Sequence, residues 1–164
     1  MAINNVSKIN DNHDVNINRN AIEHRATWMG LIFDEARKAG LDAEAICRAA
    51  IKRCGNFHGN NMKAAAGSTD CTEFRKVFIP ELTTNTFEMD VVANDENTLN
   101  IEFHYCPLLT AWKKQGFDDA TCELLCDIAM DGDRGIAQSM GYEFSLTDTI
   151  AKGCEVCKVG FCKK

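Results

Sequence analysis

The chain has 164 residues, 45% of them hydrophobic and 26% charged, a composition that suits one compact domain with its own core. Its formal net charge of -6 speaks against nucleic acid, because binding a polyanion needs clustered cations and the Lys and Arg residues here are scattered among acids. No apolar run approaches the roughly 18 residues that cross a bilayer, and the opening Met1-Ala2-Ile3-Asn4-Asn5 has neither the basic nor the apolar region of a secretory signal.

The expectation is therefore a soluble, cytoplasmic protein that engages neither membrane nor nucleic acid, with homo-oligomerisation left open. Nine cysteines are many for this length. An odd count without an export signal reads as reduced thiols acting as small buried hydrophobes, not as a disulfide framework.

In chain order, residues 1–20 hold seven asparagines and only isolated aliphatics. This predicts a mobile tract ahead of a single domain over 21–164. Ile22, Ala26, Met29, Phe33 and Ala36 then fall on one helical stripe, which Gly40 ends. Asp42 is placed to cap a second helix that runs to Gly55, followed by a Gly- and Asn-rich loop over 55–69. The spacing of Asp70 and Glu73 predicts a short capped helix up to Pro80.

Alternation over 86–91 and 99–105 predicts two strands, joined through Asn94-Asp95-Glu96-Asn97 as an antiparallel hairpin that Pro107 ends. A helix from about Asp118 carries Cys122, Leu125, Cys126 and Ala129 on one face. Strands near 142–149 and 155–162 complete the chain. The fold class is α+β: an antiparallel sheet of about four strands covered by N-terminal and central helices.

Three constellations invite chemistry. His104 and Cys106, two apart on a predicted strand, leave the same face, where an imidazole can activate a thiol and later protonate a leaving group. The bland reading is a strand end with a hydrogen-bonded histidine and an inert thiol. Asp127, Asp131, Asp133 and Arg134 share a helix face if the helix continues past Gly132, offering carboxylates to a cationic amidine and a guanidinium to a carboxylate. Their bland reading is a solvated helix end with an internal ion pair.

Cys154-x-x-Cys157 and Cys122-x-x-x-Cys126 have the spacing of thiolate metal ligands. The thiols fit an apolar stripe and a strand start better, so neither metal nor cofactor is expected. Cys157 is placed to line a pocket, and His58, in the predicted loop, to cover it.

Four segments stand out together: Phe103-His104-Tyr105-Cys106-Pro107-Leu108, Leu125-Cys126-Asp127-Ile128-Ala129, Gly132-Asp133-Arg134-Gly135, and Thr149-Ile150-Ala151-Lys152-Gly153 with Cys157 following. In this order and spacing they resemble the L-2-amino-thiazoline-4-carboxylic acid hydrolase family. The resemblance is strongest over 99–162, looser over the helical N-terminal half and absent from 1–20.

The resemblance implies hydrolytic opening of a cyclic amidine that carries a carboxylate, a small-molecule substrate. Joined to the residues, it suggests that Cys106, or a water held by His104, attacks the carbon between nitrogen and sulfur. His104 would protonate the departing atom, Asp127 and Asp133 would hold the amidinium, and Arg134 the carboxylate. Tyr105, Cys157 and His58 would complete the binding site. A non-catalytic small-molecule-binding or thiol redox-sensing domain is the alternative.

Overall fold

A computed structural model describes residues 3–164. Helix α1 spans His13–Lys38, and Asn12 caps it by accepting the Val15 N–H at 3.0 Å. It thus begins well inside the tract expected to be mobile, of which Met1 and Ala2 lie outside the described residues. The predicted stripe extends backwards through Arg19 to Val15, both buried. The arginine hides this continuation in the sequence, since a charged residue is almost never read as core unless its partner is known.

Helix α2, Ala43–Ala66, is capped by Asp42 as expected but does not stop at Gly55; its terminator is Gly67, at φ +64°. The predicted loop is helical because Gly55 and Gly59, one turn apart, face helix α7 (Asp131–Met140) with almost no space between backbones. A Cβ on Gly55 would overlap the Gly132 carbonyl, and one on Gly59 would come within 2.8 Å of the Ile136 Cα. Across the same crossing, a Cβ on Gly135 would meet the Lys52 carbonyl oxygen at 2.6 Å.

Helix α3, Cys71–Phe78, is capped by Asp70 and buries Phe74 completely. Helix α4, Glu81–Phe87, occupies the start of the predicted 86–91 strand. The buried Thr86 stays helical by donating its hydroxyl to the Leu82 carbonyl at 2.6 Å. Glu88, at φ +52°, then turns the chain into β1, Met89–Asn94.

Strand β2, Thr98–Phe103, pairs antiparallel with β1, with Met89 opposite Phe103 and a bulge between Val91 and Ala93. Pro107 ends the extended segment and at once starts an unpredicted helix, α5 (Pro107–Lys114), at the position where a missing N–H costs nothing. Helix α6, Asp119–Ala129, is capped by Asp118 and joined to α7 through Met130. Strand β3 (Tyr142–Leu146), a 3-10 turn (Ile150–Lys152) and β4 (Cys157–Lys163) follow. The sheet order β1-β2-β4-β3, antiparallel throughout, confirms the α+β class.

Two separate groups of buried side chains form the interior. One joins α1, α2, α5, α6 and the 3-10 turn around Phe33, Trp112, Leu125 and Ile150. The other joins α3, α7 and the sheet around Phe74, Ile101, Tyr142 and Phe161.

Candidate functional site

The strand ends at Phe103, so His104 and Cys106 do not alternate on one face as the sequence suggested. His104 lies in a bend at the surface, with its Nε2 2.9 Å from Asp90 Oδ2. It lines two shallow polar hollows, one with Glu102, Cys154 and Lys158, the other with Asn85, Glu88 and Asp90. Cys106 faces inward as the residue preceding α5, among the partly buried side chains of the helical core group.

Burial pushes the Cys106 thiol upward, while the amides of Leu109 and Leu108 and the charge of Arg25 favour its thiolate. These amides belong to the first turn of α5, where unsatisfied N–H groups carry partial positive charge.

The acidic constellation separates into two parts. Arg134 bonds Asp127 at 2.7 Å and Asp131 at 2.8 Å, and also donates to the Asp127 carbonyl at 2.9 Å. Arg48 of α2 reaches the same two carboxylates at 2.6 and 3.1 Å and Glu44 at 2.8 Å. Burial disfavours ionised Asp127, but the two guanidiniums hold its carboxyl below the usual range. This closed network ties α2, α6 and α7 together and leaves Asp127 and Arg134 with their charges already satisfied.

Asp133 stands apart. It lies in the first turn of α7, enclosed by protein yet retaining accessible surface. Burial raises its carboxyl from 3.8 to about 7, against the opposing charges of Arg134 and Arg25 and its own backbone amide. No side chain among the described residues forms an ion pair with it.

Arg25, exposed on α1 and without a carboxylate partner among the described residues, acts electrostatically on both Asp133 and Cys106. Nothing in the sequence marks it, because its importance comes from the approach of α1 to residues far along the chain.

Cys157 accepts the Ile150 N–H at 3.2 Å. Burial, followed by the neighbouring Cys106 charge, pushes its thiol up to about 12. Cys126 is likewise driven upward by burial, with Cys106 and Cys157 adding to the effect. Cys106, Cys126 and Cys157 therefore form a neighbourhood of neutral thiols. All cysteines are free, and among the described residues no group of three or more His, Cys, Asp or Glu is arranged to hold a metal ion.

Two remaining expectations find other surroundings. Tyr105 is buried, with its hydroxyl 3.0 Å from Thr110 Oγ1 and the Arg19 guanidinium 4.5 Å above its ring. His58 is an exposed residue of α2, edge-on to Phe57, not part of a covering loop.

Helices packed over one antiparallel four-stranded sheet define an α+β protein, in which Asp133 has no ion-pair partner among the described residues. The chain belongs to the L-2-amino-thiazoline-4-carboxylic acid hydrolase family, whose pattern it matches over residues 19–161. No curated protein and no solved structure matches it. Among the described residues no helix is long and apolar enough to cross a membrane.

Proposed function

We propose that this protein hydrolyses a small cyclic amidine bearing a carboxylate, a 2-aminothiazoline-carboxylate or a close analogue, at the site formed by Cys106, Asp133 and Arg25. The family membership gives the reaction class. The observation that carries the assignment is Asp133, a carboxyl in the first turn of α7 that burial raises to about 7 and that has no ion-pair partner among the described residues.

A cationic amidine supplies the positive charge this carboxylate lacks, and Arg25 offers a two-pronged partner to the substrate carboxylate. Arg134 is not needed for that task, since Asp127 and Asp131 already occupy its donors.

Buried thiols are poor nucleophiles until deprotonated. Asp133, which shares the field of Arg25 with Cys106, is the base assigned to the Cys106 proton in this proposal, because a base with a pKa near the working pH does this best. The amides of Leu108 and Leu109 and the charge of Arg25 support the thiolate.

The Cys106 sulfur bonds to the ring carbon between nitrogen and sulfur. One ring bond to that carbon breaks, and the departing atom takes the proton held by Asp133. Water then adds to the enzyme-bound carbon with Asp133 again accepting a proton. The bond to Cys106 breaks, and the thiolate recovers its proton. One water is consumed and no oxidant or reductant is needed. His104, held at the surface by Asp90, has no part in this scheme.

The test is ring opening of 2-amino-thiazoline-4-carboxylate, followed by NMR, with Cys106→Ala, Cys106→Ser and Asp133→Asn. Each variant is expected to lose at least about 100-fold in kcat, the usual size of a lost general base or nucleophile. Wild-type rates in all three would refute the assignment. Saturable binding without turnover by the unmodified protein would favour the binding or sensing alternative.

A further inference from the structure

The N-terminal segment, which lies before the family match at 19–161, is sewn onto Cys106. The Asn5 side chain accepts the Cys106 N–H at 2.8 Å, donates to the Cys106 carbonyl at 2.8 Å, and donates to Thr110 Oγ1 at 2.9 Å. The neighbouring Tyr105 N–H is the last to find a backbone partner in this stretch, the Phe87 carbonyl at 3.1 Å. One side-chain amide therefore supplies the Cys106 N–H with its acceptor and adds a further donor to a carbonyl that also takes the Thr110 N–H at 3.2 Å and the Thr110 hydroxyl at 3.3 Å.

The segment is anchored on either side of Asn5. Ile3 packs into the same core group as Cys106 and Leu108. Ser7 Oγ and the backbone N–H groups of Lys8 and Ile9 all donate to one Glu88 oxygen, at 2.7, 2.8 and 2.9 Å. The buried Arg19 donates to that same oxygen at 3.0 Å and to Ser7 Oγ at 2.7 Å, and covers the ring of Tyr105. Backbone orientation at Cys106 thus depends on a strap far away in the sequence.

We infer that Asn5 is a positioning residue for the Cys106 sulfur, fixing its direction at the start of α5 through the two backbone hydrogen bonds. This rests on the reading of Cys106 as the nucleophile. If the backbone at Cys106 turns, its sulfur changes direction at the start of α5, and misplacement by about 1 Å can cost about 100-fold in rate.

The experiment uses the full chain with Asn5→Ala, Asn5→Asp and, separately, Cys106→Ala. Two readouts are taken: iodoacetamide labelling of Cys106 against pH, resolved by peptide mass, and steady-state ring opening. Asn5→Ala is expected to lower kcat by about 10- to 100-fold with KM little changed, and to move the labelling profile, while the thermal transition stays cooperative. Asn5→Asp keeps an acceptor for the Cys106 N–H but sets a negative charge beside the thiol, so its labelling profile moves to higher pH.

Unchanged labelling of Cys106 in both variants would overturn the inference. Should Asn5→Ala fail to fold, Asn5→Asp decides on the same readouts. Full ring opening by Cys106→Ala would overturn the proposed chemistry instead, while labelling would still decide the role of Asn5.

Discussion

Replacing Asp133 by Asn separates the energetic cost of the site from its use. The rise of this carboxyl from 3.8 to about 7 corresponds, at about 1.4 kcal/mol per pH unit, to about 4 kcal/mol. The sign follows from proton counting. Between these two pH values the folded protein holds a proton that the unfolded chain has released, so stability falls as pH rises through the interval. Above pH 7 the folded protein carries the full cost of an ionised, enclosed carboxylate.

Asn is nearly isosteric and never ionises. Asp133→Asn is therefore expected to match the unmodified protein only below about pH 3, where Asp133 is neutral in the folded and the unfolded chain alike. It should exceed the unmodified protein by up to about 4 kcal/mol at pH 8, while losing ring-opening activity. Urea denaturation at a series of pH values measures the gap directly. A gap that is constant with pH, or a variant less stable at pH 8 than the unmodified protein, would refute the reasoning.

Three further outcomes are expected. Gly55→Ala, whose new methyl would overlap the Gly132 carbonyl, should cost about 1–3 kcal/mol or more. Gly132→Ala should leave stability unchanged or raise it by up to about 1 kcal/mol, because its nearest obstacle is Ile51 Cγ2 at 3.6 Å; urea midpoints compare the two.

The Glu88 carboxyl is held below its usual range, since the donors from Ile9, Ser7, Lys8 and Arg19 outweigh the opposing effect of burial. The stability it contributes is present above about pH 4.5 and is lost as pH falls, so Glu88→Gln should flatten the acid limb of the stability curve and speed proteolysis between residues 3 and 12. His104→Ala should keep the ring-opening rate and lose at most about 1 kcal/mol, because its partner Asp90 is 74% exposed; a large drop in kcat would return His104 to the chemistry.

The parts of the fold legible in the sequence are those set by local chemistry. Asp42, Asp70 and Asp118 cap helices by accepting amides two or three residues ahead, and the Asn94–Asn97 connection turns one strand into the next. What escaped depends on distant neighbours. Gly55 resembles a helix stop until the backbone of α7 is placed against it. Arg19 interrupts an apolar stripe until Glu88 is brought beneath it. Thr86 and Phe87 fall in step with the alternation of the strand that follows, because the helical hydrogen bond of the Thr86 hydroxyl is invisible in one dimension.

For the site, Cys106, Cys157 and Asp133 drew notice as residue types, whereas their surroundings did not. The pairing of His104 with Cys106 assumed a strand that stops earlier. For Arg134 the sequence offers a substrate carboxylate or an internal ion pair; the structure pairs it with Asp127 and Asp131, and the part that stays hidden in the sequence is Arg48, which joins the same carboxylates from another helix.

The bulge in β1 also governs how this molecule behaves among its own copies. β1 is one border of the sheet, and a border strand is an open template on which another chain can add. A two-against-one mismatch at Val91–Ala93 breaks the even spacing a docking strand would need and increases the local twist. The exposed Asp90 carboxylate adds charge to the same rim, so polymerisation through this side is opposed by both shape and electrostatics.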